Sequence, residues 1–393
     1  MEQKLVALTG NEAVAYAFKQ ANPHVASAFP ITPQTEMMHA FAEFVADGEV
    51  DTEMILVESE HSAMSAAVGS AAAGARTITA TSSAGFALMW EVLYIAASLR
   101  LPIAMAVVNR ALSGNINIHN DHSDAMGGRD TGWIQLWCEN AQEAYDTGLM
   151  AFRIGEHKDV RLPVMVNYDG FIISHTADSL KMIDDASAAA FIGKYRPAYS
   201  LLDVENPITV GPLDLTDYYF EHKISEIQAH QNAFGVVRDI QKEFGELTGR
   251  HYDFFETYRM EDAEQVLVIL GSTAGTAKDV IDSYRERGVK IGLVKLRLFR
   301  PFPAKEIADV LAGAKVVGVL DKSASFGGFG GPVFTEIRSA LYQSSQRPPV
   351  YNWIYGLGGR DTDLHQIAQV IDSLGEIANG KEMETLNVLG VRL

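Results

Sequence analysis

Short apolar segments alternate with amphipathic segments along most of this chain, and no other feature restricts its possible folds as strongly. Residues 101–110 and 162–171 have the length and apolar content of buried strands, whereas residues 11–22 have the pattern of a helix. Strands that alternate with helices favour parallel sheets that helices cover on both faces. The sequence therefore predicts an α/β protein with mostly parallel sheets.

One interruption of this alternation divides the chain into two predicted domains. The alternation resumes near Glu264, after a stretch at 176–257 that is rich in aromatic residues and prolines and has one helical pattern at 225–247. We expect a first, doubly wound domain over residues 1–257, in which about 176–257 form an extended arm, and a smaller α/β domain over 258–393. Such an aromatic arm is too apolar for disorder, so we expect it to lie on a neighbouring subunit or domain.

Net charge and the single cysteine exclude several classes of function. The chain has 393 residues and a formal net charge of −18, whereas nucleic acids and anionic membranes attract basic surfaces. No apolar run reaches the roughly 18 residues of a membrane-spanning helix, and no signal peptide is recognisable, so we expect a cytoplasmic location. Cys138, the one cysteine, can form no intrachain disulfide and cannot hold an iron–sulfur cluster, so we expect it in the core.

Polar residues follow the ends of five predicted strands: Thr32, Glu60, Thr81, Arg110 and Asp169. Ligands of open parallel sheets bind outside the carboxyl ends of the strands, so these residues form one candidate rim. Glu60, taken as the end of its strand, is either a capping or solvated acid or a buried acid that hydrogen-bonds a ligand nitrogen. Arg110 is either paired structurally or directed at a substrate carboxylate, which its planar guanidinium can hold by two hydrogen bonds.

Three further motifs have both a structural and a functional interpretation. Asp121, His122 and Asp124, with His119 three residues before His122, could ligate a metal, but their crowding in one short loop favours a hydrogen-bonded loop that fixes the backbone near the rim. The segment 271–280 lacks both phosphate-binding fingerprints, so we expect tight packing of a strand against a helix. The four glycines of 326–331 allow close backbone approach, which favours a turn at an interface.

Several segments, in their order along the chain, resemble the pyruvate:ferredoxin oxidoreductases of the 2-oxoacid:ferredoxin oxidoreductase family. They are AFPITPQTE (28–36), SEHSAMSAAVGSAAAGART (59–77), TATSSAGFALMWE (79–91), VNRALSGNINIHNDHSDAM (108–126), RDTGWIQLW (129–137), VNYDGFIISH (166–175), LRLFRPFP (296–303) and VLDKSASFGGFGGP (319–332). The resemblance extends over nearly the whole chain, and its specificity comes from the ordered set. The length fits the alpha subunit of the several-subunit form.

The resemblance implies a division of labour between subunits. The first domain is similar to the pyrimidine-binding domain of thiamine-diphosphate enzymes, and the second to the transketolase C-terminal domain. The family holds the diphosphate and its Mg²⁺ on a separate domain with a Gly-Asp-Gly motif, which this sequence lacks, so the cofactor is expected to be shared with a beta subunit. The 4Fe-4S clusters are expected on partner subunits, which include a gamma subunit and a ferredoxin-like delta subunit, with ferredoxin or flavodoxin as acceptor.

The resemblance also implies a reaction and a set of residues for it. The reaction is the oxidative decarboxylation of pyruvate to acetyl-CoA and CO₂, with coenzyme A as cosubstrate, and it is reversible as pyruvate synthase. At the matching positions, Glu60 bonds the pyrimidine N1′ and favours the reactive tautomer, and Pro30 contacts the cofactor. Arg110 and Thr32 hold the carboxylate and the oxo group of the substrate. No metal ligand is expected from this chain.

Three other functions compete with this interpretation. A relative that acts on another 2-oxoacid is one, although Thr32 fits a small uncharged substrate, and an arginine there would suggest a second carboxylate. A non-catalytic assembly subunit would also explain the missing Gly-Asp-Gly motif. A NAD-dependent dehydrogenase would need a dinucleotide fingerprint, which does not occur in this sequence.

Overall fold

The computed structural model describes residues 3–392 and contains, within them, three β-sheets that confirm the α/β class. The first part of the chain contains β1 (Gln3–Thr9), α1 (Gly10–Ala21), β2 (Val25–Ala28), α2 (Thr35–Ala46), β3 (Glu53–Leu56), α3 (Glu60–Ala72), β4 (Thr77–Thr81), α4 (Ser83–Leu88), α5 (Trp90–Ser98), β5 (Ile103–Asn109), α6 (Ser123–Gly127), β6 (Ile134–Trp137), α7 (Ala141–Glu156), β7 (Val164–Asp169), β8 (Ala177–Ile183), α8 (Asp185–Ile192) and α9 (Tyr219–Thr248). The second part contains β9 (Phe255–Tyr258), β10 (Gln265–Leu270), α10 (Thr273–Glu286), β11 (Ile291–Leu296), β12 (Leu298–Arg300), α11 (Ala304–Leu311), β13 (Val316–Asp321), α12 (Pro332–Tyr342), β14 (Val350–Ile354), a 3₁₀ turn (Leu357–Gly359), α13 (Leu364–Ala378) and β15 (Leu386–Val388). None of the helices in residues 3–392 combines the length and the apolar character that crossing a membrane requires.

The largest sheet has seven strands in the order β12-β6-β7-β5-β4-β2-β3. Its strands are parallel except β12, which pairs antiparallel with β6. From β2 the chain moves outward to β3 and then returns through α3 to β4, on the other side of β2. The winding direction therefore reverses between β2 and β4, and such a switch point is where open α/β sheets bind ligands.

Helices cover both faces of this sheet because its central strands are apolar on both sides. In β5, Ala104, Ala106 and Val108 belong to one core, whereas Met105 and Val107 belong to the other. The first core lies beneath α1, α2, α7 and α9, and the second lies beneath α3 and α5. The second core continues into the second domain, so the two domains share one apolar interior.

The second sheet has six strands in the order β15-β14-β13-β10-β11-β9, parallel except β9. β9 spans Phe255–Tyr258, so the predicted boundary between residues 257 and 258 falls inside one strand of this sheet. The apolar run over 289–299 is divided between two strands in two sheets, since β12 joins the first sheet. Arg297, between β11 and β12, turns inward and pairs with Glu143 of the first domain.

The predicted arm is more regular than the sequence pattern indicates. β8 pairs antiparallel with β1, and α8 buries Ala188 and Phe191 in the first core. The long irregular part of the arm is limited to residues 193–218, and α9 already begins at Tyr219. The strongly exposed apolar side chains of this irregular segment include Leu202, Val204, Leu213 and Leu215. The extended part of the arm is therefore shorter than predicted, and its partner stays a prediction.

Candidate active site at the carboxyl edge of the large sheet

The five predicted rim residues lie at one edge of the large sheet, where its parallel strands end. Thr81 and Asp169 are the last residues of β4 and β7, and Arg110 directly follows β5. Thr32 follows β2 and Glu60 follows β3, so both lie in connections that flank the switch point. The common edge results from the parallel direction of the strands, which places all their carboxyl ends on one side.

The sequence pattern predicted that Glu60 ends a strand, but in the structure it begins a helix. β3 ends at Leu56, and the Ser59 hydroxyl caps α3 by accepting a hydrogen bond from the Ser62 amide. The Glu60 carboxylate thus lies in the first turn, near the positive end of the helix dipole. Its side chain is only 7% exposed, so Glu60 is not a solvated acid.

Gly85 leaves the space that the Glu60 side chain occupies. A Cβ atom at Gly85 would lie 2.5 Å from Glu60 Oε1 and 2.7 Å from Thr81 Oγ1, which is closer than real Cβ atoms approach. Thr81 Oγ1 is buried and has no hydrogen-bond partner among residues 3–392. A buried carboxyl group and an unpartnered hydroxyl therefore lie together beside the switch point, and buried polar groups of this kind normally find a partner.

The Arg110 side chain is nearly buried, and within residues 3–392 its guanidinium group donates to carbonyl oxygens only. Nη1 donates to the Thr32 carbonyl at 2.9 Å, and Nε donates to the Asn117 carbonyl at 3.0 Å. Burial lowers the pKa of Arg110, and the Asp124 charge opposes this shift. Asp124 contacts Arg110 through the backbone amide, at 2.9 Å, and not through the guanidinium group. No carboxylate among the described residues therefore pairs with the guanidinium group, which argues against the structural one of the two interpretations, and a positive charge remains at the edge.

Asp124 fixes the backbone around Arg110. Its two carboxylate oxygens accept hydrogen bonds from the backbone amides of Ser83, Arg110 and Ala125 and from the Asn109 side chain, at 2.7–3.0 Å. Burial raises the pKa of Asp124 to about 6, although these donors oppose the shift. The predicted hydrogen-bonded loop is therefore confirmed, since Asp124 joins the ends of β4 and β5.

Asp169 belongs to a buried network between the domains, and this removes it from the candidate binding rim. Its carboxylate accepts from Lys322 Nζ at 2.7 Å, from His122 Nε2 at 2.8 Å and from Ser272 Oγ at 2.5 Å. Burial alone would raise the pKa of Asp169, but Lys322 and His122 outweigh burial and hold it well below its ordinary value. Burial lowers the pKa of His122, and the Asp169 charge opposes this shift.

The loop after β2 presents Pro30 and Thr32 at the surface of the edge. Both side chains are exposed, whereas Pro33 and Gln34 behind them are buried. The Gln34 amide donates to the Ile31 carbonyl at 2.8 Å and closes the loop. Thr32 is thus held beside Arg110 through its own carbonyl while its hydroxyl stays accessible.

The glycine-rich turn at 326–331 leads into α12 at the surface of the second domain. Asp321 accepts hydrogen bonds from the Val333 and Phe334 amides, and burial raises the pKa of Asp321 to about 7. A Cβ atom at Gly331 would overlap the Asp321 carboxylate, which explains the close approach. Phe326 is 94% exposed, and the predicted interface at this turn stays a prediction.

Three carboxylates outside the edge, those of Glu139, Glu143 and Glu256, come close enough to share a metal ion. Lys295 contacts all three, and Lys278 pairs with Glu139 and Glu256. With Arg297, which pairs with Glu143, the two lysines balance the three carboxylates, so the cluster joins the two domains by ion pairs.

Sequence reasoning missed the residues that support the edge. Gly85 and Asn117 lie inside segments that resemble the family, but the sequence does not show what they contact. Only the fold shows that Gly85 makes room for Glu60 and that Asn117 holds Arg110. Lys322 and Ser272 follow strands of the second domain, so they carry the same strand-end signal as the rim residues. That signal was available, but the pattern did not show that the two domains face each other there.

Comparisons with known families and proteins agree with this arrangement. Residues 16–242 match the family described as "Pyruvate flavodoxin/ferredoxin oxidoreductase, thiamine diP-bdg". Residues 263–367 match the family described as "Pyruvate:ferredoxin oxidoreductase core domain II".

Individual relatives extend over almost the whole chain. The pyruvate synthase subunit PorA of Thermotoga maritima is 57% identical over 367 residues, which is 93% of each chain. The ketoisovalerate oxidoreductase subunit VorA of Pyrococcus abyssi is 42% identical over 378 residues, 96% of this chain and 95% of that one. A solved 2-oxoglutarate:ferredoxin oxidoreductase from Magnetococcus marinus has a TM-score of 0.74 and 20% identity over 95% of this chain, which spans 65% of its length. At that identity the likeness concerns the fold alone.

Proposed function

Because the chain belongs to the pyruvate flavodoxin/ferredoxin oxidoreductase family, we propose that it is the alpha subunit of a pyruvate:ferredoxin oxidoreductase, or pyruvate synthase. The complete enzyme would convert pyruvate and coenzyme A to acetyl-CoA and CO₂ and pass two electrons, one at a time, to ferredoxin or flavodoxin. The observation that carries the proposal is the edge of the large sheet. There a buried Glu60 carboxyl group flanks the switch point together with the Arg110 guanidinium group, which has no carboxylate partner among residues 3–392.

The residues around Glu60 fit the aminopyrimidine end of thiamine diphosphate. Gly85 leaves room beside the carboxyl group, the Thr81 hydroxyl lacks a partner among residues 3–392, and Pro30 offers an apolar contact from the next loop. When bound, the cofactor supplies the nucleophilic carbon for the 2-oxo group and takes up the electron pair that CO₂ leaves behind. Glu60 would hold a proton at the pyrimidine N1′, and its burial excludes the water that would compete for this bond.

Arg110 and Thr32 would bind the two ends of the 2-oxoacid. The Arg110 guanidinium group lacks a carboxylate partner among the described residues, so a substrate carboxylate can pair with it at little cost in competing bonds. The Thr32 hydroxyl is accessible beside it and can donate to the 2-oxo group. Together they would orient the oxo carbon toward the cofactor.

Other subunits would complete the site. Exposed apolar side chains lie at the end of β3 and in the connections that follow the other parallel strands: Leu56 is 77%, Leu88 50%, Ile116 84% and Ile172 49% exposed. Apolar groups concentrated at one edge support docking of a partner there. We assign the diphosphate, its Mg²⁺ and the Gly-Asp-Gly motif to a beta subunit, and the 4Fe-4S clusters to the other partners, which include gamma and delta subunits. The single cysteine of this chain cannot hold such a cluster.

A related enzyme for a branched 2-oxoacid is the second candidate, because the VorA relative is 42% identical. The higher identity to a pyruvate synthase subunit, 57%, favours pyruvate. Comparing pyruvate with 2-oxoisovalerate as substrates of the complete enzyme separates the two.

The test replaces Glu60 with glutamine in the complete enzyme. Glu60→Gln should lower pyruvate- and CoA-dependent dye reduction about 10²–10⁴-fold, the usual contribution of an acid–base group, and should slow exchange of the cofactor C2 proton. Glu58→Gln is the matched control, because Glu58 is exposed and lies two residues away. If the assembled, cofactor-loaded Glu60→Gln enzyme exchanges that proton at the wild-type rate, the assignment of Glu60 is wrong.

A further inference from the structure

The loop after β5, residues 111–122, connects Arg110 to the second domain. We propose that the second domain positions the Arg110 guanidinium group through Asn117, and thereby sets the affinity for the substrate carboxylate. The inference rests on the proposed function, in which Arg110 binds that carboxylate. Asn117 is then a positioning residue that acts without touching the substrate.

Asn117 is held from one side and holds Arg110 on the other. Its side-chain Nδ2 donates to the Gly358 carbonyl of the second domain at 2.9 Å. Its Oδ1 accepts from the His119 amide at 2.7 Å, which folds the loop locally. Its backbone carbonyl accepts from Arg110 Nε at 3.0 Å. One of the two guanidinium contacts thus depends on a residue that the second domain holds.

The 3₁₀ turn of the second domain can reach this loop only because it contains glycines. Gly358 and Gly359 have φ angles of +61° and +76°, which side-chain-bearing residues rarely adopt. A Cβ atom at Gly358 would overlap Asn117 Nδ2, and one at Gly359 would overlap the His119 side chain. The Gly358 amide also donates to Asp121 Oδ2 at 3.1 Å. The turn therefore lies in direct contact with the loop.

A second anchor fixes the far end of the same loop. The His122 amide donates to the Lys322 carbonyl at 2.8 Å, and the His122 ring bonds Asp169, which pairs with Lys322. All three side chains are buried. The second domain thus holds the loop at Asn117 and at His122, whereas the other acceptor of the Arg110 guanidinium group, the Thr32 carbonyl, lies in a separate loop of the first domain.

Two hydrogen bonds at different guanidinium nitrogens fix the plane of the group, and a carboxylate is recognised by that plane. If the anchor at Asn117 is lost, the bond to the Thr32 carbonyl alone cannot fix the plane of the guanidinium group. The substrate carboxylate would then bind less well, while groups outside this loop would be unaffected. Misplacement should therefore appear in the KM for pyruvate and not in the KM for coenzyme A.

Two variants of the complete enzyme test this inference, each with the KM for pyruvate and for coenzyme A measured. Asn117→Ala removes the contact with Gly358, and Gly359→Ala pushes the turn away from His119. Each should raise the KM for pyruvate about tenfold, the factor that one hydrogen bond is worth, with the KM for coenzyme A unchanged. Gly288→Ala is the control, because Gly288 has a φ of +84° but would place its Cβ atom in open space.

The double variant of Asn117→Ala and Arg110→Ala distinguishes a positioning role of Asn117 from a general disturbance of the structure. Asn117→Ala should have no further effect on the KM for pyruvate once Arg110 is alanine, because it acts through that side chain. Additive effects, or equal increases in both KM values, overturn the inference. If Arg110→Ala raises the KM but neither Asn117→Ala nor Gly359→Ala does, the inference fails and the substrate role of Arg110 stands. If Arg110→Ala itself leaves the KM unchanged, the proposed substrate role and the inference are both overturned.

Discussion

Replacing Lys322 with methionine should destabilise the enzyme by leaving a buried carboxylate without its counterion. Lys322 Nζ and Asp169 Oδ2 are 2.7 Å apart, and the two side chains are 3% and 0% exposed. Removal of one partner from a buried pair costs roughly 3–5 kcal/mol. Methionine fills most of the space of the lysine, and His122 and Ser272 still donate to Asp169, so we expect the lower end, about 3 kcal/mol.

The assay is the midpoint of thermal unfolding of the complete enzyme. Lys305→Met is the matched control, since Lys305 is 83% exposed and its pair with Asp309 has the i,i+4 spacing that is worth only about 0.3–0.5 kcal/mol. The double variant of Lys322→Met and Asp169→Asn should recover part of the loss, because no net charge then remains buried. Equal midpoints for Lys322→Met and Lys305→Met would refute the claim that the pair between the domains is desolvated.

The pH dependence of this loss follows from the two pKa shifts. The pKa of Asp169 is lowered, so its stabilisation is present above the unfolded value of about 4 and is lost as the pH falls through the folded value. Burial would lower the pKa of Lys322, but Asp169 raises it, so that contribution is present below about pH 10 and is lost as the pH rises through the folded value. The difference between wild type and Lys322→Met should therefore be constant between about pH 5 and pH 9.

Three further predictions concern substrate, specificity and cofactor content. Arg110→Ala should raise the KM for every 2-oxoacid about 10–100-fold, the value of a charged hydrogen bond, and Arg110→Lys should restore only part of it; steady-state kinetics would contradict this by showing a normal KM with a lower melting temperature. Thr32→Ala should lower pyruvate turnover and change the ranking of pyruvate against 2-oxobutyrate, and an unchanged ranking would count against its contact with substrate. The chain purified alone should contain no iron and should not reduce viologen with pyruvate, because it has one cysteine and no Gly-Asp-Gly motif; iron analysis and a dye assay check both.

Local patterns were sufficient to predict the large sheet and the edge where the candidate residues lie. The strands that end near Thr81 and Arg110 are buried on both faces, so their apolar runs were unambiguous. Their common edge followed from parallel packing, which is a general rule and needs no knowledge of distant contacts.

What the sequence could not reveal depends on contacts between distant parts of the chain. Asp169 ends a strand as the other rim residues do, yet Lys322 of the second domain occupies its carboxylate. In the part of the chain that the structure describes, β1 and β8 form a sheet of two strands, across more than half of the first domain, so neither short segment stood out locally. For Glu60 the error was local, because the predicted strand extended past Leu56, where β3 ends. The burial of its side chain nevertheless agrees with one of the two interpretations of this residue, a buried acid.

β12 has a consequence for how the protein is made. The first sheet receives its last strand from Leu298–Arg300, which pairs with β6 more than 150 residues earlier in the chain. Until that segment has left the ribosome, the nascent first domain exposes β6 as an open strand edge, which can pair with other chains. A protein cut at residue 257 would keep this exposed edge permanently. Synthesis of both domains as one chain therefore protects the sheet from aggregation, and the two domains are expected to become stable together.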